Sequence, residues 1–345
     1  MGIAYAENAA MAKAKAMYGK RLRMEDYQHL LQMKSVGEVA GYLKKETAYS
    51  EVLSGIQENL IHRGQLENLI RRRMWDTLAK FLRYSRSDGL LLRLYTMQNE
   101  IEQLLSLMRH LRGTNTMEKY KVRFPGYLAK YFSFDLYAAA QVTSFDELLR
   151  VLDHTVYHRL LLPLRPSIGN AIDIPACERE LRTHYYSQAL EWIEEDYGGE
   201  ARKSLTNIFH QKINFYNFSL IYRMKKFFGK SPEEISRYLI PCHTNLRKRV
   251  TQSLVEAPSA TAFLQQLEKL PHIRLEHLDY DPIGEMDYTM RKRVSQKEFR
   301  FSTQAPVVLI SYMNLLDTEI HNIINVIEGI RYGVSPEEIH SLLDY

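Results

Sequence analysis

The chain has 345 residues, 45% of them apolar and 25% charged, with a formal net charge of +5. That length predicts two or three domains, and the apolar share is enough to fill their cores. The mild charge falls short of a nucleic-acid binder, and two distant cysteines, Cys177 and Cys242, argue against a disulfide framework or a structural zinc and for a reducing compartment.

An Ala-rich helix opens the chain and ends at Gly19. Glu7, Lys13 and Lys15 lie within it, so it does not read as a signal peptide. Ser35 then reads as a helix N-cap, with Val39 and Leu43 four and eight positions later on one face. From Leu90 an apolar stripe runs through Leu94, Met97, Ile101, Leu104, Met108 and Leu111 to Gly113, which predicts a long helix closed by glycine. Ser144 repeats the capped start, with Leu148 and Leu152. A second stripe, from Phe209 through Ile213, Tyr216, Leu220, Met224 and Phe227, closes at Gly229. Ser259 gives a third capped start, with Phe263 and Leu267. A third stripe, Met313, Leu316, Ile320, Ile323, Ile327 and Ile330, closes at Gly333.

After the second and third closing glycines the phrase Ser-Pro-Glu-Glu-Ile occurs, at Ser231–Ile235 and Ser335–Ile339. Each copy offers an N-capping serine, a proline at the first helical position and a glutamate at capping-box spacing. No window alternates as a strand does. The pattern predicts an all-α chain of three similar helical-bundle units at 1–120, 121–240 and 241–345. The most apolar stretch, Ala305 to Leu316, is too short to cross a bilayer, so a soluble chain is expected.

The chain carries few residue patterns that suit chemistry. Gly229-Lys230-Ser231 lacks the second glycine and the preceding strand of a phosphate-binding loop. His272, His277, Asp279, Asp281, Glu285 and Asp287 cluster without the spacing of a zinc or calcium site and read as a solvated connection. His184 beside Tyr185 and Tyr186, and His210, form no nucleophile–base set. The runs Arg71-Arg72-Arg73, Arg247-Lys248-Arg249 and Arg291-Lys292-Arg293 read as solvated helix faces rather than a nucleic-acid surface. No catalytic residue, cofactor or metal site is expected.

The order Tyr5-Ala6-Glu7-Asn8, Tyr18-Gly19-Lys20-Arg21-Leu22, Asp26-Tyr27, Ser35-Val36-Gly37-Glu38 and Thr47-Ala48-Tyr49 resembles the start of the C subunit of V-type and archaeal-type ATPases, called the d subunit in eukaryotes. Asn217, Arg223, Gly229 and Leu239-Ile240-Pro241 follow the family's middle unit. Pro306, Tyr312, Glu319-Ile320-His321-Asn322-Ile323, Gly333 and Pro336-Glu337-Glu338-Ile339 follow its closing helices. The chain departs from the family pattern at His321 and Ile324, where arginines are common, and at Cys242-His243, where a glycine pair is common.

This resemblance implies a funnel of three units with pseudo-threefold symmetry, acting as a non-catalytic adaptor. Its implied partners are the D and F subunits of the central shaft and the membrane rotor ring, with a single copy in the complex, peripheral to the cytoplasmic face of the cell membrane. It implies rotation passed between sites of ATP hydrolysis or synthesis on other subunits and a proton- or sodium-carrying ring. An adaptor under torque needs two faces of about 1,600 Å² each and a close-packed body that transmits strain. The expected partner-binding residues are Glu319 and Asn322, from the family motif, and the basic run Arg247, Lys248 and Arg249. The rival reading of the same repeats is a free helical-repeat scaffold or regulator that binds protein or RNA.

Overall fold

The computed structural model describes residues 2–84, 89–113, 124–167, 169–271, 273 and 282–343. Helices follow in the order α1 (Gly2–Tyr18), α2 (Met24–Leu31), α3 (Val36–Glu46), α4 (Arg63–Leu82), α5 (Leu90–Arg112), α6 (Gly126–Ala129), α7 (Leu136–Ala139), α8 (Phe145–Val151), α9 (Val156–Leu161), α10 (Ile174–Asp196), α11 (Gly199–Phe228), α12 (Pro232–Tyr238), α13 (Lys248–Glu256), α14 (Ala260–Leu267), α15 (Pro282–Phe301), α16 (Ala305–Tyr332) and α17 (Pro336–Ser341). Short 3₁₀ turns lie at Glu58–Leu60 and Leu162–Leu164. No strand occurs among the described residues, and the chain is all-α.

Polar caps set where the helices begin. Ser35 accepts the Glu38 N–H at 3.2 Å, Ser144 the Glu147 N–H at 3.2 Å and Ser259 the Ala262 N–H at 3.0 Å. Each bond satisfies a donor that the first turn leaves free, worth about 1 kcal/mol. The apolar residues four and eight positions on are all fully buried: Val39 and Leu43, Leu148 and Leu152, Phe263 and Leu267. The two Ser-Pro-Glu-Glu-Ile copies form full capping boxes, with Ser231 paired to Glu234 and Ser335 to Glu338. Before each box the chain turns through a left-handed glycine, Gly229 at φ 55° and Gly333 at φ 67°. The next amide in each case reaches back to a helix carbonyl, Lys230 to Met224 at 3.1 Å and Val334 to Gly329 at 2.9 Å. Residues with a Cβ resist that backbone geometry.

By contact the chain groups into two units. The first comprises residues 1–89, 199–208 and 268–345, and the second 90–198 and 209–267. In the first, α1, α2, α3, α4, α15 and α17 all pack on α16. Nearly every described side chain of α16 from Ala305 to Ile324 is therefore buried, not one stripe of it. A helix enclosed on all sides becomes apolar all round. In the second unit α10 packs on α5, α9 and α12, and α12 leads through α13 to α14. The repeated starts at Ser35, Ser144 and Ser259 describe a local pattern and are distinct from this grouping by contact.

The second phrase closes the first unit in a particular way. Ile339 of α17 is fully buried against α16 at Gly329. A Cβ at Gly329 would stand 2.4 Å from Ile339 Cγ1 and 2.5 Å from its Cδ1, so the glycine makes the space that the isoleucine fills. Gly329→Ala is expected to destabilise the protein by about 1–3 kcal/mol through overpacking. In urea unfolding, the Gly329→Ala/Ile339→Ala pair should cost less than the sum of its singles, because the truncated side chain makes room for the new Cβ. Strict additivity would show that the two residues do not share this space.

Candidate functional site

Each of the three long helices that run up to a glycine holds a buried polar side chain roughly three to four turns before it. They are Glu100 on α5, Asn217 on α11 and Glu319 on α16. Each accepts a backbone N–H from a residue upstream of one of the capping serines. Glu319 Oε2 accepts from Leu22 at 2.8 Å, Asn217 Oδ1 from Ile240 at 2.9 Å, and Glu100 Oε1 from Ser133. The second polar atom of each latch is also engaged. Tyr49 donates its hydroxyl to Glu319 Oε1 at 2.9 Å and Tyr157 donates to Glu100 Oε2 at 2.6 Å. Asn217 Nδ2 donates to the Ile240 carbonyl at 3.1 Å.

The electrostatics follow from burial. Desolvation raises the pKa of Glu319, against the pull of Arg73 and of the bonds from Leu22 and Tyr49. Desolvation likewise raises Glu100, against the bonds from Ser133 and Tyr157. Tyr49 and Tyr157 are also raised, first by burial and then by the adjacent glutamates, so both stay protonated and remain donors.

Beside Glu319, Arg73 of α4 lays its guanidinium 4.2 Å from the centre of the Tyr49 ring. It is 8% exposed, and its Nε and Nη1 have no hydrogen-bond partner among the described residues. An unpaired buried neutral group costs about 1–3 kcal/mol and a charged one more. The run 71–73 is thus not uniformly a solvated face: Arg71 and Arg72 are exposed but Arg73 points inward. Arg73 and Glu319 line a cavity of about 450 Å³ together with Asn322, Tyr312, Arg21 and Lys292.

Of the residues expected to meet a partner, Glu319 and Asn322 are brought together on this cavity wall, both buried in α16. Arg247, Lys248 and Arg249 are exposed at the start of α13, in the second unit. Glu100, Tyr157 and Arg73 escaped the sequence reading. The signal for Glu100 is its position near that of Asn217 and Glu319 relative to the closing glycine; for Arg73 it is the helical spacing Leu66, Ile70, Arg73, Thr77, which sets it on the buried face of α4. His272, His277, Asp279 and Asp281 lie outside the described residues, as do the side chains of Glu285 and Asp287. Among the described residues no group of histidine, cysteine and carboxylate side chains is placed to hold a metal ion, and no helix is long and apolar enough to cross a membrane.

His321 and Ile324 stand where the family pattern often has arginine. Ile324 is buried and His321 partly so. Burial lowers the His321 pKa to about 4, with Arg291 and Arg71 pushing the same way and Asp317 opposing. Neither position carries a cation at neutral pH.

These latches and caps define a class: an all-α protein built from a recurring capped-helix pattern. The model of the ATP synthase (C/AC39) subunit family matches residues 10–342, and the chain belongs to that family. The A-type ATP synthase C subunit of Pyrococcus abyssi is 24% identical over 215 residues, and that of Pyrococcus horikoshii is 26% identical over 215 residues. Each alignment covers 60% of this chain and 56% of the relative, so the chain spans little more than half the length of these two proteins. The A-type ATP synthase C subunit of Methanocaldococcus jannaschii is 22% identical over 325 residues, 91% of this chain and 80% of the relative.

Glu319→Ala should destabilise by about 2–4 kcal/mol, because it strands the Leu22 N–H and the Tyr49 hydroxyl. Tyr49→Phe should cost about 1–1.5 kcal/mol, and the double variant less than the sum. Additive losses in urea unfolding would dissolve the latch. His321 supplies a pH test. Its imidazole is neutral when folded and protonates near pH 6.5 when unfolded. Its stabilisation is therefore present above pH 6.5 and lost as pH falls towards 4. The difference in stability between His321→Gln and the parent should change by a few kcal/mol across that window. The raised Glu100 and Glu319 are common to both proteins and cancel. A constant difference would overturn the assignment.

Proposed function

We propose that this chain is the non-catalytic central-stalk adaptor of an A-type or V-type ATPase. It holds the foot of the D–F shaft on the membrane rotor ring, peripheral to the cytoplasmic side of the membrane. It thereby couples rotation to proton or sodium movement, in the direction of ATP hydrolysis or synthesis. The observation that carries this reading is the family match over residues 10–342.

Local structure supports the three-unit funnel at 1–120, 121–240 and 241–345. The three capped starts bury the same two positions. The latches follow a cyclic order: α5 holds the segment before Ser144, α11 the segment before Ser259, and α16 the segment before Ser35. Such a pattern, in which the last helix serves the first segment, suits a body with a threefold axis. Close packing around α16 suits a part that must not yield under torque.

In this proposal Arg247, Lys248 and Arg249 meet an acidic partner surface, where exposed charges chiefly steer association. Glu319 and Asn322 meet a partner only through the wall of the cavity they line. The test is co-expression with the D and F shaft subunits and the ring subunits. The chain is expected to co-purify with both, and Arg247→Glu/Lys248→Glu/Arg249→Glu to weaken assembly most at low salt. Failure of the folded parent chain to bind either partner would remove the adaptor role. Unchanged assembly of the triple variant would remove only the basic run from it.

A further inference from the structure

Two cavities of the first unit, of about 450 and 640 Å³, share Arg21, Arg23 and Arg73 in their walls. Both volumes fall within the range of small-molecule sites. The smaller cavity adds Lys292, so four cationic side chains line it against two carboxylates, Glu25 and Glu319. Glu319 already uses both oxygens, on Leu22 and Tyr49. Arg73 is more than nine-tenths buried, and its Nε and Nη1 lack an acceptor. Tyr49 offers it a ring face, Tyr312 a single hydroxyl and Glu319 a nearby charge, which leave those two nitrogens without an acceptor. The larger cavity is mixed in charge: Lys13 and Lys20 join the shared arginines, but Asp26, Glu46 and Asp76 also line it and Lys80 there is paired with Glu51 at 2.7 Å, so the cationic excess lies chiefly in the smaller cavity.

A guanidinium presents its N–H groups as a planar fork that matches an oxyanion, and in a shielded site such bonds are strong. A carboxylate would bring two coplanar oxygens and one charge. A phosphate brings three free oxygens and up to two charges, which buried Arg73 with the exposed Arg21 and Arg23 and half-buried Lys292 around it answers better. We infer that this cavity binds a phosphate-type oxyanion, free or as the headgroup of an anionic lipid, through Arg73, Arg21, Arg23 and Lys292. The chain alone contains all of this site, so its test needs no partner subunit.

The test uses the purified full chain. Inorganic phosphate in the millimolar range should raise its melting temperature in a saturable way, relative to chloride and to acetate at equal ionic strength. Arg73→Gln should abolish the rise. Because that variant risks misfolding, Arg21→Gln/Lys292→Gln, which alters exposed and half-buried positions, should keep the parent's circular dichroism and weaken phosphate binding at least tenfold. Sedimentation with phosphatidylcholine vesicles containing phosphatidate, compared with pure phosphatidylcholine, distinguishes the sources. Phosphate response without sedimentation assigns a free phosphate. Phosphatidate-dependent sedimentation that the double variant loses assigns the lipid. An equal rise with acetate overturns the proposal in favour of a carboxylate occupant. No response to phosphate or phosphatidate, or one that the double variant retains in full, overturns it outright.

Discussion

A carboxylate taken out of water must be given donors where it lies, and in the first unit that requirement falls on Glu319. Its oxygens bind one backbone amide before α2 and one tyrosine hydroxyl after α3. The tyrosine is itself positioned: Thr47 accepts the Tyr49 amide at 3.2 Å and donates to the Leu43 carbonyl at 2.6 Å. Arg73 covers the face of the same ring. Three stretches of chain thus converge on one side chain of α16. Leucine and isoleucine contacts survive small axial slips, whereas directed bonds in a shielded core do not. The latch fixes register where apolar packing alone would supply adhesion.

The same logic recurs with different chemistry. Glu100 holds its segment through an amide and a tyrosine hydroxyl, as Glu319 does. Asn217 uses its amide to accept from and donate to a single residue, Ile240, and brings no charge into the core. A neutral side chain with both ends satisfied avoids the desolvation cost that raises the two glutamates. Constancy of position with variation of chemistry indicates that the need is for a bond to the neighbouring segment, not for an ionisable group.

Much of the fold was legible because its signals are local. Serine caps, left-handed glycines and residues one and two turns on from a cap are determined within a few positions of sequence, and Ser35, Ser144, Ser259, Gly229 and Gly333 all do what their neighbours predict. What escaped depends on distant partners. The third stripe read as one face, yet α16 is enclosed on every side, and Thr318 and Ser311 are buried with it. Arg73 shares its charge with Arg71 and Arg72, but it lies on the buried stripe of α4, where Tyr49, Tyr312 and Glu319 receive it. Glu319 and Asn322 belong to the family pattern, but no periodicity shows that the first is spent on internal bonds.

The division of the first unit between the two ends of the chain has a kinetic consequence. Helices α1 to α4 leave the ribosome long before α16, the helix they enclose, has been synthesised. Until then their apolar faces have no native partner and are exposed to aggregation or to chaperones, while residues 90–198 and 209–267 complete their own body early. The contacts that join α1 and α4 to α16 close loops of more than two hundred residues, and long-range closures of this kind slow folding.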